Sequence, residues 1–318
     1  SPVSIRSVPH FLDWENQPDP FRRWTGAEER PLERLPPASD PPGGLRYTEV
    51  YHPEGIAPAP LDRRSLARLF YDAFAVSAWK ELEGTRWSLR VNPSSGNLHP
   101  TEVHAVLGPV PGLCDRPAVV HYAPREHLLE VRAELPHELW QALAGDLGPG
   151  ALLVGLSSIP WREAWKYGER AWRYCQHDAG HALACLALSA AALGWRARTA
   201  EAWGTRDVAR LLGLEGQSGP EAELALVLLA VTPRTAEPAL PAPPSDALRR
   251  ADTVTARCLA DAYAVAWDDA FLRREVARFV AWPAERRATK VWADSVRRAG
   301  ITAYSRDGPA AARRIRRQ

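Results

Sequence analysis

The stretch Arg90-Val-Asn-Pro-Ser-Ser-Gly-Asn-Leu-His-Pro-Thr-Glu102 separates two apolar segments and contains most of the chemical information in the sequence. Pro93 fixes one backbone angle, and the small polar residues after it predict a tight turn. Ser94 and Ser95 offer hydroxyl groups, and the amide of Asn97 offers both a donor and an acceptor. Composition alone leaves two interpretations open, a capped surface turn and a loop that binds a ligand rich in hydrogen-bonding groups.

A flavin has the groups that such a loop would match. Its pyrimidine edge alternates hydrogen-bond donors and acceptors, and its ribityl chain carries hydroxyl groups. Arg90, just before the turn, is a permanent cation of the kind that pairs with phosphate. The segment is therefore a candidate flavin-binding loop with a candidate phosphate contact at its start.

Apolar periodicity on both sides of the loop predicts alternating helices and strands. Leu66, Leu69, Phe70 and Phe74 recur at three- and four-residue steps, which predicts a helix over residues 63–79. The alternation indicates an α/β or α+β protein. Further helices are predicted over residues 135–145, 161–193 and 205–212, and strands over residues 103–107, 118–124, 127–133, 151–158, 196–199 and 223–231.

Several classes of protein are disfavoured by what the sequence lacks. It has no GxGxxG and no GxxxxGK[ST], which argues against a Rossmann domain and a P-loop nucleotidase. The net charge of +2 gives no reason to expect nucleic acid, and no apolar run approaches the length of a membrane span. The four cysteines are scattered without a CxxC pair, so we expect free thiols and a cytoplasmic location.

A second informative segment runs from Trp165 to His181 within the predicted helix 161–193. Its basic residues recur at steps of three or four, which places them on one helix face. Such a stripe is either a solvated edge or the wall of an anionic ligand site, and the tryptophans around it favour the wall. The basic residues are Lys166, Arg170, Arg173, His177 and His181.

Both segments resemble the nitroreductase superfamily, in the branch of the SagB-type azoline dehydrogenases. The resemblance implies an α+β, nitroreductase-like fold with a mixed central sheet flanked by helices, and non-covalent FMN as the cofactor. It also implies two-electron hydride transfer through the flavin N5. By the same resemblance the flavin contacts are Asn92, Pro93, Ser94, Ser95 and Asn97, with Arg90 at the basic position before the loop.

The resemblance implies a catalytic pair as well. Lys166 and Tyr167 match the Lys-Tyr pair that assists removal of a ring proton in SagB-type azoline dehydrogenases. A lysine shielded from water can accept a proton, and a phenol can relay one. Ala200 and Glu201 match a loop that approaches the reactive flavin nitrogen, although that loop usually contains glycine. Asp178 stands where the family commonly has glutamate.

The same family implies an organisation for the chain. We expect an extended N-terminal arm over residues 1–60, a flavin-binding core over 61–233, and a linker with a helical C-terminal extension over 234–318. Nitroreductases place the flavin at a dimer interface, so a homodimer or an intramolecular pseudo-dimer is expected. The chain would then be a whole protomer or one half of a tandem protein.

Three alternatives remain open at this stage. His177 and His181, four residues apart, are similar to an HExxH zinc site, although no third ligand is evident and no metal is expected. An ordinary nitroreductase would instead take hydride from NAD(P)H and reduce nitro compounds or quinones. A non-catalytic half of a tandem protein would contribute only its loop to a flavin that the other half mainly binds. The substrate, a small molecule or a peptide, is not indicated.

Overall fold

The computed structural model describes residues 12–34, 45–234, 238 and 240–243. Strands and helices alternate through the described chain, as the periodicity predicted. The strands are β1 (Glu28–Pro31), β2 (Val76–Leu82), β3 (Thr85–Arg90), β4 (Thr101–Leu107), β5 (Ala118–Ala123), β6 (Leu128–Glu134), β7 (Leu152–Ser158), β8 (Trp195–Thr199) and β9 (Leu224–Pro233). The helices are α1 (Tyr47–Val50), α2 (Arg63–Phe74), α3 (His137–Ala144), α4 (Pro160–Tyr167), α5 (Ala171–Ala192) and α6 (Thr205–Leu211).

Seven of the strands form one central sheet in the order β1-β6-β5-β4-β7-β9-β8. The α+β class is confirmed, but every neighbouring pair in this sheet is antiparallel, whereas a sheet of mixed strand direction was expected. The hairpin-length connection between β5 and β6 explains that pair, because parallel neighbours need a long crossover. Residue alternation cannot distinguish strand direction in advance.

The two faces of the sheet carry separate apolar cores. On one face, α2 and α5 pack together and bury Phe70 and Leu186 completely. On the other face, α3 and α6 bury Leu139 and Leu211. Full burial of a side chain such as Phe70 contributes about 1.5–3 kcal/mol. The helices therefore hold the sheet between two layers, and α5 carries the later residues of the second informative segment.

The helix predicted over residues 63–79 ends at Phe74, and the chain continues as the β2–β3 hairpin. Glu83 and Gly84 connect the two strands with φ angles of 50° and 79°. Positive φ at both central residues is the geometry of a two-residue hairpin turn, which Asn-Gly usually marks. The unusual Glu-Gly pair explains why the sequence pattern did not predict this hairpin, which leads directly into the candidate loop.

The single helix predicted over residues 161–193 is also interrupted. Gly168 has a φ of 50° and ends α4, and a 3-10 turn over Gly168–Arg170 precedes α5. The ψ of −128° at Gly168 takes the backbone out of the helical conformation, and glycine adopts such a positive-φ geometry readily. Lys166 and Tyr167 therefore occupy the last turn of one helix, and the later basic residues lie on another. The basic stripe is not one continuous helix face.

The N-terminal arm is partly described and joins the sheet. Glu28 pairs with Val131, so β1 extends the sheet beyond β6. The segment before β1 crosses the sheet, where the Arg23 guanidinium pairs with Glu130. The C-terminal helices predicted after residue 243 lie outside the described residues. Within the described ranges, no helix has both the length and the apolar character to cross a membrane.

Candidate functional site

The candidate loop follows β3 and has an unusual backbone. Ser95–Asn97 forms a short 3-10 turn, and φ is positive at Gly96 (61°), Asn97 (62°) and His99 (48°). Glycine adopts this region readily and asparagine more readily than most residues, whereas histidine needs support from its surroundings. The predicted tight polar turn is therefore present, and its shape depends on specific hydrogen bonds.

Asp178 on α5 supplies the main support for the loop. Its carboxylate accepts hydrogen bonds from the Ser94 hydroxyl at 2.6 Å, the Ser95 hydroxyl at 2.9 Å and the Ser95 backbone N–H at 3.0 Å. Asp178 is buried, so these bonds form away from water. Hydrogen bonds to a buried carboxylate are stronger than bonds between neutral groups. The two serine hydroxyls, predicted as flavin contacts, are thus engaged in holding the loop to α5.

Asn97 and His99 brace the other side of the loop. The Asn97 amide donates to the Ser88 carbonyl at 2.8 Å, and its oxygen lies 2.9 Å from His99 Nε2. The His99 backbone N–H donates to the Ser94 hydroxyl at 2.8 Å. Burial and the nearby charge of Arg90 hold the pKa of His99 well below its usual value, so its ring is neutral. Asn97 therefore has one amide hydrogen left for a ligand.

The loop lies directly against the predicted catalytic pair. A methyl group added to Gly96 would lie 3.1 Å from Lys166 Nζ and closer still to the Tyr167 side chain. Tyr167 packs on Tyr174 with ring centroids 4.4 Å apart. Partial burial, followed by the charge of Glu163, raises the pKa of Tyr167, so its phenol stays protonated. The structure thus brings the two informative segments together at one place.

Glu163 lies one helical turn before this pair, and its side chain is completely buried. Burial first, then the charge of Asp178, raises the pKa of Glu163 to about 10. No donor among the described residues reaches either of its oxygens. The carboxyl group is therefore neutral at physiological pH. Sequence reasoning missed this residue, since a glutamate in a predicted helix ordinarily indicates an exposed position.

Arg90 and Asn92, at the start of the loop, are both buried. Arg90 is buried, donates to the Pro20 carbonyl and packs against the Phe21 ring at 5.4 Å. Burial lowers its pKa to about 10. The described arm thus covers the guanidinium, and a phosphate contact by Arg90 stays a prediction that requires the arm to move. Asn92 is also buried, and its amide oxygen has no partner among the described residues.

Ala200 and Glu201 are not brought to the loop within one chain. They follow β8, which is separated from β4 by β7 and β9. With about 4.8 Å between neighbouring strands, β8 lies roughly 14 Å from β4 across the sheet. Ala200 is fully buried in the second core, and its N–H donates to the Leu228 carbonyl. A flavin contact by Ala200 and Glu201 stays a prediction.

The remaining basic residues of the second segment face solvent. Arg170, Arg173 and His177 are exposed, and His181 Nδ1 lies 3.2 Å from the Pro93 carbonyl oxygen. Asp178, between the two histidines, is turned towards the loop. In the described part of the chain, no group of three or more His, Cys, Asp or Glu is arranged to hold a metal. The geometry gives the zinc alternative no support.

A buried ionic network lies beside the site and was not predicted. Arg162 on α4 donates to Glu102 at 2.6 Å and to Glu221 at 2.9 Å. Glu102 in turn lies 3.1 Å from His121, which contacts Glu130 at 2.8 Å. Alternating polar residues in the apolar strands β4 and β5 were the only signal for this network. It fixes α4 to the sheet and so fixes the position of the predicted catalytic pair.

Comparisons with known proteins agree with this architecture. A model of the nitroreductase family matches residues 57–231, which is more than half of the chain. No significant relative is found among curated proteins. The chain is similar to a protein from Anabaena variabilis assigned as a nitroreductase, with 25% identity and a TM-score of 0.50. That match covers 70% of this chain and 42% of the Anabaena chain, so the chain spans less than half of that protein.

Two further solved structures are less similar. A protein from Ralstonia eutropha assigned as a nitroreductase has 16% identity and a TM-score of 0.47, and the match covers 68% of this chain and 94% of the other. The microcin synthetase complex McbBCD of E. coli, solved with truncated pro-MccB17 bound, has 18% identity and a TM-score of 0.44, with 64% and 84% coverage.

Proposed function

Because the chain belongs to the nitroreductase family of flavin-associated oxidoreductases, we propose that it binds FMN non-covalently beside the loop of residues 92–97. The observation that carries the proposal is the contact between this loop and the Lys166–Tyr167 pair at Gly96. One segment supplies hydrogen-bonding groups for a cofactor, and the other supplies groups that can transfer a proton. Their contact places cofactor-binding groups and proton-transferring groups at one site, as an oxidoreductase requires.

The residues present fit a flavin. The amide oxygen of Asn92 is a buried acceptor that meets no donor in the described part of the chain, which favours a ligand that donates a hydrogen bond. One amide hydrogen of Asn97 is free to meet a ligand acceptor. FMN, when bound, supplies a two-electron acceptor for hydride at its N5. The loop supplies binding and orientation, and its attachment to α5 through Asp178 keeps it in place.

We assign the proton transfer to Lys166 and Tyr167. Lys166 Nζ lies 5.6 Å from the Tyr167 ring centroid, so the two groups face the same space. The raised pKa of Tyr167 keeps a proton on its hydroxyl, which can be donated or relayed. The pair resembles that of SagB-type dehydrogenases, and this resemblance favours oxidation of a heterocycle over reduction of a nitro compound. NAD(P)H-dependent nitro or quinone reduction is the second candidate.

We further propose that the complete site needs a second copy of the chain or a second half. The separation of β8, which precedes Ala200 and Glu201, from β4, which follows the loop, supports this, because the two strands are not neighbours in the sheet. The match to less than half of the Anabaena protein keeps the pseudo-dimer arrangement open as well. A homodimer that binds FMN would support the first arrangement, and a monomer that folds without FMN would support a non-catalytic half.

The cofactor is tested by absorbance spectroscopy of the purified protein. We expect a yellow protein with a flavin spectrum that releases FMN on heating. A colourless protein that cannot be reconstituted with FMN would contradict the proposal. The substrate class is tested next, by comparing reduction of bound FMN by an azoline-containing peptide with its reduction by NAD(P)H in the presence of a nitroaromatic compound.

The catalytic assignment is tested with Lys166→Ala. We expect this variant to retain FMN and to lose about 100-fold or more in turnover, the range for one general acid–base group. Lys80→Ala is the matched control, because Lys80 is exposed on the β2–β3 hairpin. Equal turnover in the two variants would remove Lys166 from the mechanism.

A further inference from the structure

The arm segment of residues 13–22 packs against the last turn of α4, the helix that carries the predicted catalytic pair. The indole N–H of Trp165 donates to the Asp13 carbonyl at 2.9 Å. The Trp14 ring packs edge-on against the Trp165 ring, with centroids 5.5 Å apart and an interplanar angle of 73°. Trp165 is buried and directly precedes Lys166. The arm segment therefore holds the helical turn that includes the pair.

The same segment also reaches the first turn of α4. The Arg162 guanidinium donates to the Pro20 carbonyl at 3.4 Å. Arg22 is buried and reaches the helix through Glu221, because it donates to the Glu221 carbonyl at 2.8 Å and pairs with the carboxylate at 3.7 Å. Glu221 in turn accepts from Arg162 at 2.9 Å and from the Trp161 indole. The arm segment thus contacts both ends of α4, directly and through Glu221.

The helix needs such contacts because it is short. It has eight residues, Pro160–Tyr167, and a helix of this length is not stable in water by itself. One tertiary contact that holds it is the pair between Arg162 and Glu102 on β4. Lys166 and Tyr167 are only half-buried, so packing around their own side chains does not fix them fully. The contacts with the arm segment are therefore among those that determine where the last turn lies.

We propose that Trp14 and Arg22 are positioning residues, through which the arm segment sets the place of the Lys166–Tyr167 pair in the candidate site. The proposal rests on the proposed function only in that this pair is taken to transfer protons. Loss of either contact lets the last turn of α4 shift, and the pair moves with it. The loop of residues 92–97 is held separately, by Asp178 on α5. Turnover should therefore respond to the arm segment more strongly than FMN affinity does.

Trp14 separates this role from a general contribution to stability. Its side chain is 65% exposed, so its removal leaves the apolar cores intact. The first experiment measures hydrogen exchange of the α4 backbone amides, without added flavin, in wild type, Trp14→Ala and Trp14→Phe. We expect α4 to exchange about 2- to 10-fold faster in Trp14→Ala, the range for one aromatic pair. Trp14→Phe should stay close to wild type, because it keeps a ring against Trp165.

Trp87→Ala is the matched control, because Trp87 is also exposed but lies on the β2–β3 hairpin. Its α4 amides should exchange at the wild-type rate. Unchanged exchange of α4 in Trp14→Ala would overturn the proposal, and so would an equal acceleration in α4, β4 and β7, which indicates global destabilisation. Faster α4 exchange on addition of FMN would also overturn it, because the arm segment would then leave its place when the cofactor binds.

Arg22 is tested in the same way with Arg22→Lys. Lysine keeps the charge but presents one ammonium group in place of the guanidinium that meets both Glu221 and Glu223. We expect faster exchange in α4, whereas the control Arg30→Lys should show none, because Arg30 pairs with exposed Glu28. Wild-type exchange of α4 in Arg22→Lys would overturn the role of Arg22. If this variant fails to fold, the Trp14 variants decide.

The consequence for catalysis is measured with FMN bound. Trp14→Ala should bind FMN as wild type does and should reduce turnover, by up to about 100-fold for a displacement near 1 Å. The assay uses whichever of the azoline-containing peptide and NAD(P)H reduces the bound FMN of wild type. Equal turnover in Trp14→Ala and wild type would overturn the positioning role. A protein without FMN would contradict the proposed function but would leave the hydrogen-exchange test of the arm segment intact.

Discussion

A methyl group placed on Gly96 would lie 2.4 Å from the hydroxyl oxygen of Tyr167, closer than side-chain carbons approach oxygen atoms in folded proteins. The candidate loop and the end of α4 are therefore in direct contact, with no room for a side chain between them. This contact joins two segments that are about seventy residues apart in sequence. It makes the loop position depend on Tyr167, and the Tyr167 position depend on the loop.

Gly96→Ala should separate the two segments. The added methyl group requires Tyr167 to move, so we expect lower FMN occupancy and lower turnover of the remaining holoenzyme. Gly84→Ala is the matched control, because Gly84 also has a positive φ, of 79°, but nothing within 4 Å of its added methyl group. FMN titration of both variants measures the effect. Equal affinities would show that only backbone strain matters at residue 96.

Asn97→Gly tests the amide rather than the backbone. Glycine accepts the φ of 62° at this position, so the variant removes the bonds to Ser88 and His99 without adding strain. We expect FMN affinity to fall several-fold, since each lost hydrogen bond contributes about 0.5–1.5 kcal/mol. Unchanged affinity in fluorescence titration would exclude any contribution of the Asn97 side chain to cofactor binding.

Arg162→Met should be strongly destabilising. The substitution removes the guanidinium that pairs with both Glu102 and Glu221 and leaves Glu221 only its longer contact with Arg22, and breaking a buried pair in this way costs about 3–5 kcal/mol. Arg116→Met is the control, because Arg116 and its partner Glu134 are exposed and such pairs contribute about 0–1 kcal/mol. Urea denaturation measures both free energies of unfolding. Similar losses in the two variants would contradict a structural role for the network.

Glu102→Gln should change how stability depends on pH. Burial alone would raise the pKa of Glu102, but Arg162 and His121 lower it to about 2. Its contribution is therefore full above about pH 4.5 and is lost as pH falls towards 2. The shift corresponds to about 3 kcal/mol. We expect Glu102→Gln to be less stable than wild type at pH 7 and the difference to shrink in acid, as followed by urea denaturation.

Exposed Glu134 provides the matched control, and the free energy of unfolding of Glu134→Gln should equal that of wild type at every pH. A difference between wild type and Glu102→Gln that stays constant from pH 7 to about pH 3 would show that Arg162 and His121 do not lower the pKa of Glu102.

Much of the fold could be predicted from local patterns. The strands ending near Leu107 and Ser158 have continuous apolar sequences bounded by turn residues, and their predicted bounds agree within two residues. The β2–β3 hairpin could not be predicted, since Glu83 and Gly84 are not a usual hairpin pair. The direction of neighbouring strands could not be predicted either, because it depends on the connections between elements rather than on side-chain alternation.

The candidate site was predictable in its parts but not in its arrangement. The polar turn and the Lys166–Tyr167 pair were both recognised, and the structure places them in contact. The support from Asp178 was not recognised, because it comes from a helix that meets the loop only in the folded chain. The burial of Arg90 beneath Pro20 and Phe21 depends likewise on a distant arm.

The positive φ angles at residues 96, 97 and 99 have a consequence for ligand capture. The loop already has this backbone shape in the folded protein. Binding a ligand therefore costs little conformational entropy of the loop. Association should then show a single kinetic phase whose rate rises linearly with ligand concentration. A slow second phase would indicate a loop that rearranges after the encounter.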